Sequence, residues 1–146
     1  MNDHHQNPES QVWQRVFQPP EQPTSDLRPL RMAVMELAAG YRHLSQTLTG
    51  PGKELARRLW EEEQASAACL KGLTLLSGGG PEVLKIWDPP KESPQKLLVK
   101  CYHKSRRCMV ECMTRSAEAE YGTVFRHLAD REGQHCALLS QLLGML

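Results

Sequence analysis

The chain has 146 residues, 18 of them basic and 17 acidic, and a formal net charge of +1. That length is enough for one domain with a full hydrophobic core. The balanced charge leaves no electrostatic footprint for nucleic acid. No apolar run approaches the ~20 residues that span a bilayer, and the opening MNDHHQNPES has neither a basic start nor an apolar stretch. A cytoplasmic protein with no secretory signal and no membrane partner is therefore expected.

Residues 1–25 are polar and rich in Gln and Pro, and read as a disordered tail. Within it Val12, Trp13, Val16 and Phe17 share one face of a possible short docking helix. A first helix is expected from Asp26 as N-cap to about Leu48, with Pro29 tolerated in the first turn. Its apolar stripe is Leu30, Val34, Leu37, Tyr41, Leu44 and Leu48. Gly50-Pro51-Gly52 should end it. A second helix is expected over about 53–76, stopped by Ser77-Gly78-Gly79-Gly80-Pro81.

A longer connector passes Ile86, Trp87, Asp88, Pro89 and Pro90, and Ser93-Pro94 supplies an N-cap and N1 pair for a third helix. That helix carries Leu97, Cys101, Ser105, Cys108 and Cys112 on one side. A break near 117–120 precedes a fourth helix that runs to Leu146. No segment alternates like a strand. The expected fold of residues 26–146 is all-α: an antiparallel four-helix bundle, up-down-down-up, made of two hairpins joined by a long crossover.

Cys69, Cys101, Cys108, Cys112 and Cys136 are odd in number and include no Cys-x-x-Cys. That argues against a zinc ribbon, a rubredoxin-type iron site and a thioredoxin-like motif, and for reduced thiols. Cys101, Cys108 and Cys112 fall within about 40° of one another. Packing is the first reading, and a soft-metal thiolate site at Cys108-x-x-x-Cys112 the second. Lys104, Arg106 and Arg107 read as a solvated helix face.

One pattern occurs twice, 69 residues apart: Leu59, Glu63, Ser66, Leu70 and Leu73 recur as Leu128, Glu132, His135, Leu139 and Leu142. At 100° per residue, Glu132 and His135 lie within about 40° of Leu128, and Glu63 and Ser66 take the same places about Leu59. Each carboxylate thus sits inside a leucine stripe. A buried carboxylate requires a cation, a proton or a metal. Glu132-x-x-His135 puts two donors one turn apart on one face, where both reach a single ion. Oxygen and imidazole donors suit iron or manganese. Glu36 and Glu111 stand at the margins of their stripes as further acidic candidates.

The segment Glu120-Tyr121-Gly122-Thr123-Val124-Phe125-Arg126-His127-Leu128-Ala129, followed by Glu132 and His135, resembles the last helix of rubrerythrin-like members of the ferritin-like superfamily. Tyr41 through Glu63 resembles their first hairpin, and the likeness spans residues 27–146. It implies a bundle holding two irons, with an oxidoreductase role toward oxygen, peroxide or iron itself. Glu63, Glu132 and His135 match the ligand positions, whereas Ser66 stands where the family has its other histidine. The family's first-helix glutamate falls on Val34, with Glu36 two residues later. Glu111 is the acidic candidate in the third helix. This reduced set supports one metal ion more readily than two.

With no Cys-x-x-Cys pair present, a redox cycle would draw on an external electron donor. The family's habit of pairing along a helix face allows a homodimer. Two alternatives stay open at the level of sequence. His135 could be protonated between Glu63 and Glu132 in a metal-free network, with the Tyr41 hydroxyl reaching a carboxylate. The bundle could also be a structural or interaction module that has lost the di-iron chemistry.

Overall fold

The computed structural model describes residues 26–79, 84 and 91–146. The Trp13 and Phe17 segment and the connector residues Ile86 to Pro90 lie outside the described residues. Four helices follow in order: α1 (Arg28–Thr47), α2 (Gly50–Leu76), α3 (Pro94–Arg115) and α4 (Gly122–Met145). No strand occurs among the described residues, and none of these helices is long and apolar enough to cross a membrane.

Two helix starts differ from the sequence expectation. Leu27 rather than Asp26 holds the N-cap position of α1, with no side-chain cap. The Asp26 carboxylate turns to Arg28, and its carbonyl accepts from Arg115. Gly50-Pro51-Gly52 does not separate the first two helices but opens α2. Proline fits a first turn, where its missing N–H is not needed. Gly50 adopts φ 62°, which glycine reaches without a Cβ penalty. The third start agrees: Ser93 caps α3 by accepting from the Lys96 N–H at 3.3 Å, with Pro94 following.

α1 packs along α2 and α3 along α4, while α1 also meets α3 and α2 also meets α4. Cross-helix pairs give the directions. Asp26 meets Arg115, Glu36 meets Lys104, and Gly40 lies against Cys101, so α1 and α3 run oppositely. Gly52 lies near Leu142, Glu63 meets His135 and Ser66 meets Arg131, so α2 and α4 do the same. With each hairpin antiparallel, the four helices run up, down, down, up.

The core contains the stripes read from sequence, together with Leu27, Ala56, Leu98 and Ala129, which the stripes did not include. Leu30, Val34, Leu37, Tyr41, Leu44 and Leu48 are buried, as are Leu97, Cys101, Cys108, Cys112, Phe125 and the repeated leucines of α2 and α4. All ten positions of the repeat are buried, its four polar residues included.

The α3–α4 turn is tight. A Cβ on Gly122 would lie 2.4 Å from the Ser116 carbonyl oxygen, a backbone atom that cannot swing aside. Gly122→Ala is expected to lower folding stability by about 1–3 kcal/mol, the usual cost of overpacking. A lower urea midpoint with native helical signal would bear this out.

Candidate metal centre

The leucine stripes of α2 and α4 carry Glu63, Glu132 and His135 into the middle of the bundle at 0%, 2% and 0% exposure. One ligand atom from each lies within 4.8 Å of the others. His135 Nδ1 is 2.9 Å from Glu63 Oε1 and 3.9 Å from Glu132 Oε1. Ser105 of α3 donates to Glu132 Oε1 at 2.5 Å. Each carboxylate therefore has one engaged oxygen. The other oxygens, Glu63 Oε2 and Glu132 Oε2, are buried and meet no donor. Two such acceptors facing a dry interior require a proton or a cation between them.

The electrostatics reflect that conflict. Burial pushes the Glu63 carboxyl up to about 7, with the Arg131 charge and a hydrogen bond to Glu132 pulling it back. Glu132 goes further, to about 9, through burial and then the facing Glu63 charge. The two carboxyl groups lie within hydrogen-bonding reach of one another once either carries a proton. Two oxygens and one imidazole nitrogen, in a region where carboxylates resist ionising alone, form a donor set that fits a divalent ion with oxygen and nitrogen preference.

The sequence reading missed one participant. Glu62 Oε1 lies 2.8 Å from His135 Nε2. Its Oε2 accepts from Arg58 at 3.0 Å. Burial opposes its ionisation, yet hydrogen bonds to His135 and Arg58 hold its carboxyl below the ordinary value. A carboxylate on the far nitrogen fixes the ring and leaves Nδ1 facing the converging donors, the arrangement that supports metal-binding histidines generally. From sequence, Glu62 and Arg58 are an ordinary i, i+4 surface pair. Nothing in the spacing announces the tie to His135.

The other candidates lie elsewhere. Glu36 pairs with Lys104 at 3.2 Å on the α1–α3 side. Glu111 is exposed and pairs with Arg115 at 2.7 Å. Neither joins the three converging residues. Ser66, at the position equivalent to His135, accepts from Arg131 at 2.9 Å. Val34 is a buried core residue.

Tyr41 sits edge-on to His135 with ring centroids 6.1 Å apart, and its hydroxyl lies beside Ser105 rather than donating to a carboxylate as expected. Burial, then the charges of Glu63, Cys101 and Glu132, raise its phenol well above the ordinary value. Burial likewise pushes the Cys101 and Cys112 thiols up to about 12, and Cys108 higher still. They are core thiols in which burial outweighs the nearby Lys104 and Arg115 charges, unlike the settings in which cysteines ionise. No protein-family model, curated protein or solved structure matches the chain, so the ferritin-like likeness rests on the residues quoted above.

Proposed function

We propose that the chain is a ferritin-like metal-binding protein that holds iron or manganese on Glu63, Glu132 and His135 Nδ1. The observation that carries this reading is the convergence of these three donors in a dry core, with one oxygen of each carboxylate left without a partner. The bound ion would supply a Lewis-acidic position open to a small oxygen-containing ligand. The chain's own residues do the rest. Glu62 orients the imidazole, Ser105 holds Glu132, and Tyr41 and the leucines exclude water.

A metal-free network is the second reading, favoured by one observation. Both ring nitrogens of His135 already face carboxylate oxygens, at 2.8 and 2.9 Å, an arrangement that satisfies the ring without an ion. In that case the bundle acts as a structural or interaction module. Elemental analysis of purified protein, with Glu63→Ala and Glu132→Ala beside it, separates the two. Iron or manganese near one per chain, lost in both variants, is expected. No metal in the parent protein would reject the proposal.

A further inference from the structure

The internal repeat extends one residue beyond the leucine stripes. Shifting by 69 positions carries Glu62 onto Arg131 and Ser66 onto His135. The cross-helix contacts obey the same relation. Glu62 of α2 reaches His135 of α4, and Arg131 of α4 reaches Ser66 of α2, at 2.8 and 2.9 Å. The Arg131 guanidinium also meets the Glu62 carbonyl at 3.5 Å. These are two halves of one pseudo-symmetric arrangement about the Glu63–Glu132 pair, filled with opposite chemistry. One half has an imidazole backed by a carboxylate. The other has a hydroxyl and a fixed positive charge.

We propose that Arg131 is the built-in cation of the second half, so that the bundle binds a single divalent metal ion, on the His135 side. This rests on the metal-binding reading above and narrows it. A second ion beside Ser66 would lack an imidazole and would face a guanidinium that cannot be deprotonated. Neither α1 nor α3 adds a carboxylate to the converging donors. One divalent ion balances the charges of Glu63 and Glu132, whereas a second would leave its charge unopposed in a dry core.

The test is a titration of the EDTA-stripped full chain with Mn(II) and Zn(II), read as stoichiometry and affinity. The parent protein should saturate at one ion. Ser66→His combined with Arg131→Glu copies the Glu62–His135 half into its mate and should raise saturation to two. Arg131→Gln alone removes the competing charge and should bind the single ion about tenfold more tightly, on the scale of one nearby charge. A purely structural Arg131 would leave affinity unchanged or weaken it.

Two ions in the parent chain would overturn the inference while leaving the metal-binding reading intact. No ion in the parent chain would overturn both. One ion in a folded double variant, or unchanged or weaker binding in Arg131→Gln, would also overturn the role given to Arg131. Should the double variant fail to fold, the Arg131→Gln affinity decides.

Discussion

Replacing His135 with alanine in the metal-free protein is expected to cost about 1–3 kcal/mol of folding stability for the buried acceptor left without its donor, before any cavity is counted. The imidazole meets Glu62 and Glu63 together, at 2.8 and 2.9 Å. Without it Glu63 Oε1 joins Glu63 Oε2 and Glu132 Oε2 among buried oxygens with no donor. The cavity left against Tyr41 adds to the loss. Replacing the whole cluster at once, Glu63→Met with Glu132→Met and His135→Leu, should behave oppositely. Apolar side chains of similar volume remove the need for partners, and such exchanges are often neutral or stabilising by about 1–4 kcal/mol. Urea denaturation in EDTA measures both. A His135→Ala loss below about 1 kcal/mol would mean that water reaches the cluster, since exposed pairs contribute no more than that.

The same contrast explains what sequence could and could not reveal. The stripes of α2 and α4 were legible because leucines at helical spacing fix which face is buried, and an acid inside such a stripe has nowhere else to point. Glu63, Glu132 and His135 follow from that alone. Residues at stripe margins are different. A helical wheel places Glu36 and Glu111 equally near the core and the surface, and the neighbour decides. Lys104 of the facing helix draws Glu36 into an ion pair, and Arg115 one turn on takes Glu111.

The Glu62–His135 tie depends on the offset between α2 and α4, a tertiary quantity absent from any one helix. Gly50-Pro51-Gly52 was ambiguous for a local reason. Glycine and proline serve a turn and the first turn of a helix equally well, so the boundary moved by three residues. The depth of the Tyr41 ring was legible and the fate of its hydroxyl was not, because periodicity fixes a face and says nothing about where a side chain's tip ends.

Without metal, folding stability is expected to fall as pH rises from about 5 to about 9, the reverse of the usual behaviour of ion-paired carboxylates. In the unfolded chain a glutamate titrates near about 4.3, whereas in the fold Glu63 is held up to about 7 and Glu132 to about 9. Between those values the folded protein binds more protons than the unfolded chain, so each step up in pH favours unfolding. The stabilising contribution is complete below about pH 4.3 and is lost as pH passes through the two folded values. At about 1.4 kcal/mol per pH unit, Glu63 alone accounts for a loss on the order of 4 kcal/mol.

A saturating divalent ion should reverse the slope. The ion needs both carboxylates ionised, so its binding expels their protons and strengthens as pH rises. The stabilisation it confers should therefore be smallest near pH 5 and largest near pH 9, growing with the ratio of ion concentration to dissociation constant. Urea midpoints at three pH values, in EDTA and in Mn(II), give both slopes, and Glu63→Gln should flatten the metal-free one. A metal-free midpoint that stays level or climbs with pH would show that the two carboxyl groups ionise freely inside the bundle. The dry, proton-sharing pair on which metal capture depends would then not exist.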